Sequence, residues 1–167
     1  MATKPPPNAG QLDPQRIFNT ARLFHGAAVA INQAGKKQYA IPFCVNAAFG
    51  VELYLKCLLV TEGANPGETH DLVGLFRNLK RHTKAWLTKR YNKVCAGDDT
   101  KAKMWKLGLL TNLETELEQS RHAFVLLRYH FEDRHPPQSG FTVGFLLVVL
   151  RDFILEKHPE WEPFVEP

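Results

Sequence analysis

The chain is poor in cysteine: Cys44, Cys57 and Cys95 make an odd set with no CxxC spacing. That pattern fits free thiols better than a disulfide framework. Cys44 and Cys57 stand in apolar sequence, where a free thiol serves as a small hydrophobe, and a reducing cytoplasm is the expected compartment. Glycine-rich phosphate loops are missing too, with neither GxxxxGK[ST] nor GxGxxG present. No Ser/His/Asp or Cys/His nucleophile arrangement is legible. The opening MATKPPPNAG has no apolar h-region, so no signal peptide is expected. The most apolar run, GFTVGFLLVVL at 140–150, is too short to span a bilayer and ends at Arg151 and Asp152, so no membrane partner is expected. Strand-like alternation and internal repeats are also lacking.

What is present suits one helical domain. The 167 residues are 44% hydrophobic and 23% charged, ordinary globular values, with a net charge of +4 that permits a nucleic-acid or phosphate partner. Residues 1–12 read as a flexible N-terminal segment, 13–158 as a single helical domain and 159–167 as a C-terminal tail. Asp13 is a candidate N-cap with Pro14 as the first helical residue. Ile17, Ala21, Phe24, Ala28 and Ile31 follow on one face. A second helix from about Pro42 to Glu62 is apolar on most sides and should be central. Thr69, His70 or Asp71 caps a short third helix whose face is Leu72, Leu75, Phe76 and Leu79. RHTKAWLTKRYNKV is a fourth helical stretch. A long helix is expected from about Thr100 to Arg134, stopped by Pro136 and Pro137. A last helix runs from about Phe141 to Lys157 and, through Phe145, Leu147, Val149 and Leu150, packs on the bundle or seals a dimer. The fold class is all-α, an antiparallel bundle of four to five helices.

Several polar residues do not suit a core. Glu52 and Lys56 lie four apart on the central helix, acid first, and Arg128 and Glu132 lie four apart on the long helix with the signs reversed. Lone buried charges are very costly, so Glu52, Lys56, Arg128 and Glu132 are expected in one network with His70 and Asp71 at its edge. RHAFVLLRYHFEDRH, residues 121–135, sets Arg128, His130, Glu132 and His135 beside an apolar stripe of Phe124, Leu127 and Phe131. Three readings compete for it: a ribonuclease site, a metal site and a structural polar knot. The metal reading has one Glu-x-x-His pair, Glu132 and His135, where a di-iron bundle uses two. No metal and no cofactor are therefore expected. Between Arg77 and Lys106 ten Lys and Arg residues meet two acids, Asp98 and Asp99, with Trp86, Tyr91 and Trp105 interleaved. That segment is either a phosphate-binding surface or a solvated face whose aromatics turn inward. Glu114, Glu116 and Glu118 follow as an acidic block that makes the surface dipolar.

AAFGVELYLKCLLVTEG, THDLVGLFRNL and HAFVLLRYHFED, in that order, resemble the HEPN domain family. The resemblance rests on Glu52 and Lys56, then His70, Asp71 and Leu72, then Phe124, Arg128, Tyr129, Phe131 and Glu132. It implies a small helical domain associated with RNA or nucleotides. Many such domains are metal-independent ribonucleases, in which an Arg and a His with four to six residues between them meet their counterparts across a homodimer. Arg128 and His135 match that spacing. Tyr129 stands where the family usually has a polar residue, and His135 precedes Pro136. The implied roles are phosphate anchoring by Arg128 and proton transfer by His135, with Glu52, Lys56, His70, Asp71, Tyr129 and Glu132 as a binding or structural cluster. A nucleotidyltransferase-type antitoxin is the implied partner of a toxin-like member. The alternative is a non-catalytic scaffold that binds nucleotide or protein.

Overall fold

A computed structural model describes residues 12–96, 112–128 and 143–163. Among them every regular element is helical. Four longer helices, α1 (Pro14–Gln33), α2 (Ala40–Thr61), α4 (Arg81–Ala96) and α7 (Val143–Lys157), form the body of the bundle. Shorter helices α3 (Leu72–Arg77), α5 (Leu113–Gln119) and α6 (Ala123–Arg128) lie between them in the chain. Tyr129, His130, Glu132 and His135 lie outside the described residues, as do the first part of the expected long helix and its end.

α1 begins as its sequence dictates. The Asp13 carboxylate accepts the Gln15 N–H at 2.9 Å, and Pro14 occupies the first turn, where no N–H is needed. The buried stripe is Phe18, Ala21, His25 and Ala28, rotated by about one residue from the expected face. Phe18 and His25 are drawn inward because both meet Tyr54 of α2.

α2 is the central helix. Cys44, Ala48, Val51, Tyr54, Leu55, Leu58 and Leu59 are buried around much of its circumference, with α1, α3, α6 and α7 packed against it. Gly50 sits where three helices converge: a Cβ there would lie 2.8 Å from Leu147 Cδ2 and 3.6 Å from the His25 backbone nitrogen. By length and composition α2 could cross a membrane, but 61% of its most apolar window is buried inside the bundle. α7 packs on α2 and α4 through Leu146, Leu147, Val149, Leu150, Phe153 and Ile154.

Two expectations are corrected. The long helix from Thr100 to Arg134 is not continuous. Asn112 is extended and caps α5 by accepting the Thr115 N–H, and the chain turns at 120–122 before α6. The turn is pinned from a distance, since the Arg121 carbonyl accepts the Leu72 N–H at 3.1 Å and the Arg121 side chain binds Asp71. Nor is the segment after His158 a loose tail throughout. Pro159–Trp161 form a 3-10 turn, Trp161 packs on Phe18, and Arg22 donates to the carbonyls of Trp161 and Glu162.

Candidate functional site

Glu52 has no solvent exposure, so its carboxylate must be met inside the protein. The helix supplies one partner, the Lys56 ammonium one turn on, at 2.9 Å. The loop after α2 supplies the other, His70, whose Nδ1 lies 3.0 Å and 2.9 Å from the two carboxylate oxygens. That loop is shaped locally. Gly63 and Gly67 take positive φ, which glycine alone adopts without strain. The Asn65 side chain accepts the Gly67 N–H, and Thr69 Oγ1 accepts the Asp71 N–H.

Asp71 faces away from this pair. Its carboxylate caps α3 by accepting the Gly74 N–H at 3.0 Å and receives a two-pronged donation from Arg121, Nε at 3.0 Å and Nη2 at 2.8 Å. The Arg121 guanidinium holds the Asp71 carboxyl below the usual carboxylate range, with the Gly74 N–H adding to the effect. Sequence reasoning missed Arg121. It lies 50 residues from Asp71, and nothing local marks it as the partner.

α6 closes the site with an aromatic ring. Ala123 and Leu127 bury against Cys44 and Ala48 of α2. Phe124 then stacks on Phe49 at 4.3 Å between centroids and tilts against the His70 ring at 5.4 Å. The Arg128 guanidinium lies over the same Phe124 ring, 5.0 Å from its centroid, a cation–π geometry. Arg128 is exposed. Of the expected network of Glu52, Lys56, Arg128 and Glu132, Lys56 and His70 meet the Glu52 carboxylate, Arg128 lies over the Phe124 ring, and Glu132 lies outside the described residues. Of the residues named from the sequence, Glu52, Lys56, His70 and Arg128 come together, Asp71 turns to Arg121, and Tyr129, Glu132 and His135 lie outside the described residues.

On another side of α2, His25 Nδ1 lies 3.1 Å from Tyr54 Oη. Burial, and then the positive field of Arg151, push the His25 pKa down to about 4, while burial pushes the Tyr54 hydroxyl well up. Burial likewise raises the Cys44 thiol to about 11 and the Cys57 thiol to about 12, so neither presents a thiolate nucleophile near neutral pH. Among the described residues, no group of three or more His, Cys, Asp and Glu side chains converges as metal ligands would.

The third polar feature is α4. From Lys80 to Ala96 the sequence has no acidic residue. Among the described residues the side-chain cations of Lys80, Arg81, Lys89, Arg90 and Lys93 have no carboxylate within salt-bridge distance, although the Lys80 backbone N–H donates to Glu62. Arg81, Lys89 and Lys93 share one ridge of the helix, with Ala85 between the first two. The interleaved aromatics turn inward: Trp86 packs on Phe153 at 4.7 Å, and Tyr91 is buried. A cleft of about 950 Å³ runs beside the helix, lined by Lys84, Thr88, Lys89 and Asn92 on one wall and Glu114 and Glu118 on the other. The acidic block is not all surface, since Glu116 points inward and is buried.

A sequence model of the HEPN domain matches residues 30–141, more than half of the chain, and the chain therefore belongs to the HEPN domain family. Membership points to an RNA-related or nucleotide-binding function. No curated protein and no solved structure compared with the chain gives a significant match.

Proposed function

We propose that this HEPN domain binds and cuts RNA without a metal, with Arg128 holding the scissile phosphate and His135 moving a proton. The observation that carries the RNA part is the α4 ridge, with its cations lacking described carboxylate partners. A protein interface needs an apolar centre and is depleted in lysine. Among the described residues, the large apolar side chains that are exposed, Leu12, Leu23, Val29, Tyr39 and Leu126, all lie off α4. A phosphate backbone needs only the charges. With Trp86 and Tyr91 turned inward, the ridge lacks stacking platforms, so it reads backbone rather than bases. The reading includes a homodimer, which would bring two Arg128 side chains to one cleft, and a nucleotidyltransferase-type antitoxin as the cellular partner of a toxin-like chain, both in the cytoplasm.

The test is the affinity for a fluorescent single-stranded RNA at several salt concentrations. Each phosphate neutralised contributes a slope of about −0.7 in log K against log salt. Joint Arg81→Glu, Lys89→Glu and Lys93→Glu substitution should weaken binding and flatten that slope by about 2. Unchanged affinity and slope would end the RNA reading. One observation favours the non-catalytic alternative: the Glu52–Lys56–His70 cluster and the Asp71–Arg121 pair each tie separate elements together, as purely architectural contacts would. RNA that is bound but never cut would select it.

A further inference from the structure

We infer that His70 is a proton-transfer group, positioned by the buried carboxylate of Glu52, in a site that shares Arg128 as its phosphate anchor within one protomer. The inference rests on the RNA reading above and adds a residue to it. Three observations carry it.

The first is the bond to Glu52. Both carboxylate oxygens lie within 3.0 Å of His70 Nδ1. In the neutral ring a carboxylate at Nδ1 places the proton there and leaves a lone pair on Nε2, the nitrogen at the far edge. No described residue hydrogen-bonds Nε2.

The second is exposure. The Glu52 side chain is 1% exposed and the His70 side chain 43%. The carboxylate is fixed inside and the imidazole opens outward. Glu52 already has Lys56 at 2.9 Å, so its charge is met without a second, solvent-facing partner.

The third is the shared ring. His70 and Arg128 both lie against Phe124, at 5.4 Å and 5.0 Å, so they are at most about 10 Å apart. A ribose 2′-hydroxyl and its adjacent 3′-phosphate, each at hydrogen-bond range, can bridge that gap.

The step balances simply. Nε2 takes the 2′-hydroxyl proton, the 2′-oxygen bonds to phosphorus, and the bond from phosphorus to the 5′-oxygen breaks. The departing oxygen takes a proton, the transfer assigned above to His135, leaving a 2′,3′-cyclic phosphate and a 5′-hydroxyl. The Arg128 guanidinium meets the charge that grows on the phosphoryl oxygens.

The experiment uses the full chain and a fluorescent single-stranded RNA in the presence of a chelator. His70→Gln keeps a donor for Glu52 but cannot relay a proton, so folding should hold by circular dichroism while cleavage falls about 100-fold or more. Cleavage at the wild-type rate would overturn the inference and leave the RNA reading standing. If the wild type cuts nothing, the ribonuclease reading fails on its own, and the site is judged by ¹⁵N spectra of the histidine rings with adenosine 3′-monophosphate. The expected result is a shift at His70 Nε2, with Nδ1 remaining protonated. Glu52→Gln should redistribute the proton between the two ring nitrogens, which a merely structural role would not require. A His70 ring indifferent both to the nucleotide and to Glu52→Gln would overturn the inference.

Discussion

Two of the described histidines lean on α2 through Nδ1, and they differ in almost everything else. His25 comes from α1 and meets the neutral hydroxyl of Tyr54; His70 comes from the loop before α3 and meets the carboxylate of Glu52. Their partners are two residues apart on one helix, so they face about 200° apart. His25 is 6% exposed, and burial holds it neutral down to about pH 4. The His70 side chain is 43% exposed and is backed by a buried charge. The same ring thus serves as packing on one side of α2 and as accessible chemistry on the other. Burial and the charge of the partner decide which.

The comparison can be broken most severely at Glu52. Glu52→Ala strands Lys56 inside the protein and unties the loop that carries His70, so urea unfolding should show a loss of about 3–5 kcal/mol. Tyr54→Phe removes a neutral partner on the other side and should cost about 1 kcal/mol. Equal losses would mean that the charge of the partner does not matter.

Acid gives the next largest effect. The unfolded chain protonates His25 near pH 6.5, the folded chain only near 4. The unfolded state therefore binds the extra proton between those values. His25 contributes its full stability above about pH 6.5 and loses it as the pH falls toward 4, a change of about 3 kcal/mol. His25→Gln should flatten the stability profile in that window. Asp71 acts in the opposite charge sense and lower down: its carboxyl is held below its ordinary pKa of 3.8, so its contribution is present above that value and is lost only as the pH falls through the depressed one.

A smaller effect is expected at the pinned turn. Asp71→Ala removes both the α3 cap and the Arg121 contact and should cost about 1–2 kcal/mol by urea unfolding. Hydrogen exchange should then rise at Leu72 and around residues 120–122, because the Leu72 N–H to Arg121 carbonyl bond depends on that contact. Exchange unchanged at those amides would separate the turn from the Asp71–Arg121 pair.

These contacts also mark how far the sequence could be read. Signals written within one turn were legible: the Asp13 cap with Pro14, the apolar face of α3, the Glu52–Lys56 pair at i and i+4. The family landmarks include both His70 and Arg128, which lie against one Phe124 ring. What was not legible depends on partners far along the chain. Periodicity runs on through Ser120 to His122, because apolar spacing survives a tight turn, and the break depends on Asp71 and Leu72 some 50 residues earlier. The rotation of the α1 face depends on Tyr54. The contact of the Arg128 guanidinium with the Phe124 ring is not legible either, since charge rules point only to acids.

The contrast between the two histidines is tested most directly by modifying the folded protein with diethyl pyrocarbonate at neutral pH and following each histidine by mass spectrometry, with and without single-stranded RNA. His70 should react readily, and RNA should slow it several-fold. His25 should remain unreacted in both samples until the protein is unfolded. Reaction at His25 as fast as at His70, or a His70 rate indifferent to saturating RNA, would contradict the account.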